Sequence, residues 1–108
     1  MLVSPILRSA SDGHLIFWCP GCDMPHGIYT GQGARPRWAW NNSTEKPTFD
    51  PSIKITYPGI DAGKDGAPAA VCHFFVREGK FEFLNDCTHA LAGQTVDIPD
   101  WETASNAP

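Results

Sequence analysis

The sequence lacks a basic stripe, a long apolar run and any sustained helical periodicity. Eight Lys and Arg stand against twelve Asp and Glu, a formal net charge of −4. The cations are scattered, so no phosphate-neutralising surface is expected and nucleic acid is an unlikely partner. The longest apolar stretches, Leu15 to Trp18 and Val71 to Val76, are a fraction of the roughly 20 residues that cross a bilayer. No membrane partner is expected. Met1 to Leu7 is interrupted by Ser4 and Pro5, unlike the cationic and then apolar opening of a secretory leader, and the expected location is the cytoplasm. The chain carries four cysteines in 108 residues. In a reducing cytosol these are better read as metal ligands than as disulfides, and Asn42-Ser43-Thr44 becomes a chance turn rather than a glycosylation site.

What the chain does have is punctuation. Ten Gly and ten Pro favour short strands and tight turns over long helices. The expectation is a mainly β protein, a small single-domain sheet or roll of short antiparallel strands with a zinc knuckle and at most one short helix. Residues 1–102 form the domain and 103–108 a flexible tail. His14 to Trp18 reads as a first strand, and His26 to Thr30 as its return. Arg37-Trp38-Ala39-Trp40 is an extended segment with both tryptophans on one face. Pro47 to Ser52 is a proline-fixed stretch feeding the strand Ile53 to Tyr57, and Pro58 to Ala70 reads as a mobile loop. Val71 to Val76 and Phe81 to Leu84 form a hairpin about a Glu78-Gly79 turn, pairing Val76 with Phe81 and Phe74 with Phe83. Cys72, Phe74, Val76, Phe81 and Phe83 then share the core face, while His73, Phe75, Arg77, Lys80, Glu82 and Leu84 share the other. His89 to Ala92 reads as one helical turn and Gln94 to Ile98 as a last strand.

Cys19-Pro20-Gly21-Cys22 is the strongest local signal for chemistry. Two residues between cysteines let both sulfurs wrap one ion as a zinc knuckle; a thioredoxin-like reading would need a long helix afterwards, which Pro25 and Gly27 deny. The remaining cysteines fall near histidines. If the second hairpin strand stays extended past Leu84, Cys87 lies on the face of Cys72, so Cys19, Cys22, Cys72 and Cys87 are the preferred zinc ligands. His73 and His89 are alternates to Cys72 and Cys87. A second, sharper arrangement uses His26, His73 and His89 around a hydrolytic zinc with Asp86 as an orienting carboxylate, since His73 and Asp86 both project from the face opposite Cys72. Hydrogen-bonding roles for these histidines are the plainer alternative. Trp40, Asn41, Thr48, Phe49 and Ser52 are numerous enough to line a small pocket, although packing accounts for them equally well.

Several of these residues occur as a set. Cys19-Pro20-Gly21-Cys22 with His26, Pro47-Thr48-Phe49 with Pro51-Ser52, Cys72-His73, and the run Phe83 to Thr95 containing Asp86-Cys87-Thr88-His89-Ala90-Leu91-Ala92-Gly93 together resemble a family of small uncharacterised proteins of tailed phages and prophages. Members are often labelled ammonia monooxygenase. The resemblance implies expression in an infected bacterium and no established activity, and a chain with no spanning segment offers nothing to support the oxidase label. With no convincing nucleophile and base pair in the sequence, the expectation is a zinc-stabilised accessory protein that binds another protein, such as a host factor. The alternative is a zinc-dependent hydrolase using His26, His73, His89 and Asp86.

Overall fold

The computed structural model describes residues 1–57 and 70–105. The expected loop from Pro58 to Ala70 lies outside them except for Ala70, which opens a strand. Alternation of burial makes β2 (His14–Cys19), with Leu15, Phe17 and Cys19 inward. The Cys19 to Cys22 turn reverses it into β3 (Met24–Tyr29), in register Phe17 to His26 and Cys19 to Met24. The short β1 (Arg8–Ser9), which the sequence pattern does not mark, flanks β2 on its other side. These three form one antiparallel sheet in the order β1-β2-β3.

A second antiparallel sheet runs β4-β5-β6-β7-β8. It is built from Ala39–Trp40, Phe49–Tyr57, Ala70–Arg77, Lys80–Phe83 and Thr95–Asp97. The β6–β7 hairpin pairs Val76 with Phe81 and Phe74 with Phe83 as the alternation predicts. Its turn is tight because Glu78 (φ 51°) and Gly79 (φ 77°) both take the left-handed conformation, as a two-residue hairpin turn requires. β5 is irregular between Phe49 and Ile53, so its early residues leave the strict strand alternation. The expected helical turn from His89 is a plain turn. The helix is instead α1 (Trp101–Ser105), which takes in Thr103 to Ser105 of the expected tail and packs Trp101 edge-on to Trp18 at 5.9 Å. No helix among the described residues is long and apolar enough to cross a membrane.

The two sheets bury their inner faces against each other through an aromatic cluster. Phe17 of the first sheet contacts Phe49, Phe74 and Phe81 of the second, at 5.8, 6.2 and 5.7 Å between centroids. All four rings are fully buried. Phe75, one residue on, faces the other way and is only half-buried, with Arg77 stacked over it at 4.1 Å. Phe74→Ala should therefore cost about 3–5 kcal/mol and Phe75→Ala about 1 kcal/mol or less in urea unfolding; equal losses at the two positions would refute the assignment of faces.

Candidate metal centre and an adjoining serine, histidine and aspartate

Strand β2 carries Cys19 inward to the end of the first sheet, and the turn that follows folds Cys22 back over it. The Asp23 amide closes this turn on the Cys19 carbonyl at 2.8 Å, and the Cys22 amide donates to Cys19 Sγ at 3.4 Å. Cys72 enters from the inner face of β6, and His89 from the turn after β7. The ligating atoms of Cys19, Cys22, Cys72 and His89 all lie within 4.8 Å of one another. Cys19 Sγ is 3.8 Å from Cys72 Sγ, which is 3.5 Å from His89 Nε2. Gly21 is required here for space: a Cβ at that position would stand 2.4 Å from the His89 ring. Three thiols and an imidazole so gathered can hold a metal ion.

Their electrostatics fit a ligand set. Cys72 donates to Cys19, which with help from His26 and the Cys22 amide draws the Cys19 thiol down to about 4. The same bond, with burial, pushes the Cys72 thiol up. Burial raises Cys22, and the hydroxyl of Tyr57, hydrogen-bonded to Cys22, is pushed up to about 12. One negative charge is thus held among three sulfurs, because two adjacent thiolates repel in a buried site; a cation would stabilise all three as thiolates. The Leu91 amide donates to His89 Nδ1 at 3.1 Å, which leaves the ring proton on Nε2, aimed at Cys72.

Cys87 stands apart from this group. β7 ends at Phe83, so the extended path past Leu84 that would carry Cys87 to the Cys72 face does not occur. A turn at Asn85 and Asp86 instead lays the Cys87 thiol beside β6, where it accepts from the His73 amide at 3.2 Å and donates to the His73 carbonyl at 3.1 Å. Cys87 continues the sheet where the strand has stopped. His26 is buried at 5% exposure and stacked on Phe74 at 5.8 Å. His89 belongs to the cysteine group, and His73 lies on the outer face of the sheet. His26, His73 and His89 therefore do not converge on a shared metal position.

The outer face holds a second constellation. His73 Nδ1 meets Asp86 at 3.0 and 3.2 Å from the two carboxylate oxygens, the meeting that strand alternation predicts. On the other side of the ring, His73 Nε2 lies 3.3 Å from Ser52 Oγ. The carboxylate fixes the imidazole proton on Nδ1 and leaves Nε2 as an acceptor facing the hydroxyl. The His73 hydrogen bond holds the Asp86 carboxyl below its ordinary value. The His73 side chain is 22% exposed and that of Asp86 47%, so the group is partly open to solvent. Sequence reasoning placed Ser52 among pocket-lining residues and in the Pro51-Ser52 motif, without a catalytic role. It sits in the irregular part of β5, 21 residues from His73, and only the pairing of β5 with β6 brings the two together.

Comparison with known proteins gives one family. The model described as bacterial ubiquitination-like system serine protease (BubE) matches residues 3–84 of the chain, well over half its length. No curated protein and no solved structure matches.

Metal content separates the two fourth ligands. Cys72→Ser and His89→Ala should lose the bound metal, Gly21→Ala should weaken it by displacing the imidazole, and Cys87→Ser should keep one ion per chain by elemental analysis. A metal-free Cys87→Ser protein that remains folded would overturn this ligand set.

Proposed function

We propose that the chain, which belongs to the BubE family of bacterial ubiquitination-like system serine proteases, is a serine hydrolase that cleaves an acyl bond in a protein substrate. The observation that carries this reading is the chain of contacts from Ser52 Oγ to His73 Nε2 and from His73 Nδ1 to Asp86. It has the nucleophile, base and orienting carboxylate that acyl transfer needs, in the order Ser, His, Asp along the sequence. The 3.3 Å Ser–His separation is slightly longer than a tight hydrogen bond, as is common in such sites without substrate.

In this reading Ser52 Oγ attacks the substrate carbonyl carbon while its proton passes to His73 Nε2. The imidazolium, stabilised by Asp86, then gives that proton to the departing amine as the C–N bond breaks. An acyl ester on Ser52 remains. Water, losing a proton to Nε2, attacks the ester and releases the carboxylic acid, and the proton returns to Ser52.

The metal plays a different part. Zinc would suit three thiolates and an imidazole, gathered here with Cys19 Sγ 3.8 Å from Cys72 Sγ. Cys19, Cys22, Cys72 and His89 would hold it with four protein ligands, which would make its role structural. His89 would serve as a ligand through Nε2, with the ring proton on Nδ1 in place of the Leu91 contact. The expectation of a protein that only binds another macromolecule rested on the lack of a nucleophile and base pair, and Ser52 with His73 removes that ground. The resemblance to phage and prophage proteins supplies context for a bacterial setting without changing the chemistry.

A fluorophosphonate probe should label the wild-type protein at Ser52, and Ser52→Ala should not react. His73→Ala and Asp86→Asn should slow labelling by about 10²- to 10⁴-fold with unchanged metal content and melting. Labelling at another residue, or none on folded, metal-loaded protein, would sink the proposal.

A further inference from the structure

Strand β5 runs from Phe49 to Tyr57, but β4 pairs only with Phe49 and Asp50. Among the described residues, the side of β5 away from β6 has no strand partner beyond Asp50. The direction of its backbone groups follows from β6. The His73 carbonyl accepts from the Leu84 amide at 2.9 Å, and the Val71 carbonyl from the Thr88 amide at 3.0 Å. The Val71 amide donates to Thr88 Oγ1 at 3.0 Å. Val71 and His73 thus turn their main-chain groups toward β7 and the chain beyond it. Alternation turns Cys72 and Phe74 the other way, onto Ile55 and Ile53 of β5. Ser52, Lys54 and Thr56 must then direct their N–H and C=O groups outward. The Trp38 indole agrees, since it reaches the Ser52 carbonyl at 3.2 Å from that outer side.

Among the described residues the open edge therefore starts at Lys54, two residues past Ser52, whose carbonyl the Trp38 indole already occupies. From there it presents a donor and an acceptor at every second residue, about 6.8 Å apart, the spacing that an extended polypeptide matches. The side chains of Lys54 and Thr56 lie on the sheet face of His73, because they pair with His73 and Val71. The open positions Lys54 and Thr56 lead along β5 to Ser52, whose Oγ meets His73 on that face. We infer that the substrate is an extended polypeptide segment, bound as an added strand on the outer edge of β5 by main-chain hydrogen bonds to Lys54 and Thr56, with its scissile carbonyl delivered to Ser52. This rests on Ser52 being the nucleophile. Because main-chain groups supply the bonds, binding selects an extended conformation over any particular side chain, and an unfolded protein is a better substrate than a compact one.

The test compares cleavage of reduced, carboxymethylated casein with fluorophosphonate labelling of Ser52 in the metal-loaded full chain. Thr56→Pro deletes one outward N–H at an edge position where proline is sterically tolerated. It should lower the ratio of casein cleavage to labelling at least tenfold, and Thr56→Val, which restores the amide, should recover it. Lys54→Pro gives a second reading should Thr56→Pro fail to melt cooperatively. An unchanged ratio in a folded proline variant overturns the edge-binding inference, as does a wild-type protein that takes the probe on Ser52 yet leaves casein intact. Failure of Ser52 to take the probe fails the nucleophile reading instead, and this inference with it.

Discussion

The pairing of β5 with β6 is the interaction on which the rest of the molecule depends. It sets Cys72 opposite Ile55 and His73 opposite Lys54, and strand alternation sends those two neighbours to opposite faces of one sheet. On the inner face Cys72 meets Cys19, Cys22 and His89. On the outer face His73 meets Ser52 and Asp86. A slip of one residue in this register would exchange the two faces and destroy both groups together.

The two constellations are also tied at their other ends. Asp86 and His89 leave the same segment between β7 and β8, the first for the outer face and the second for the inner. Cys87 lies between them and holds that segment against β6 through both backbone groups of His73. A metal drawing Cys19, Cys22, Cys72 and His89 together would therefore anchor the segment from which Asp86 reaches the imidazole. In a chain of 108 residues whose core is one aromatic cluster between two small sheets, such a cross-link joins pieces of chain 53 residues apart, where it constrains the unfolded state most. In the proposed reading such an ion would support the geometry, and the reacting groups would be side chains.

Much of this was legible from local pattern. The hairpin register, its core face and the meeting of His73 with Asp86 follow from period-two alternation about a short turn, which is a local constraint. The Cys19 and Cys22 pair is legible because its chemistry depends on a spacing of two. Cys87 was misplaced because its position hung on whether the strand continued past Leu84, and the turn at Asn85 and Asp86 decides that. His89 and Gly21 pack together across 68 positions of sequence, a distance over which spacing carries no information.

The sequence by itself determined the class of the fold, the strand faces around Cys72 and His73, and a CxxC turn of a kind that can hold a metal, because each rests on residues close enough along the chain for alternation and turn chemistry to relate them. Only the tertiary structure decided that His89 joins Cys19, Cys22 and Cys72 and that Ser52 stands against His73. Both depend on which strand lies beside β6 and in what register, and that choice is made by burial of the aromatic rings of two sheets against each other rather than by any local run of residues.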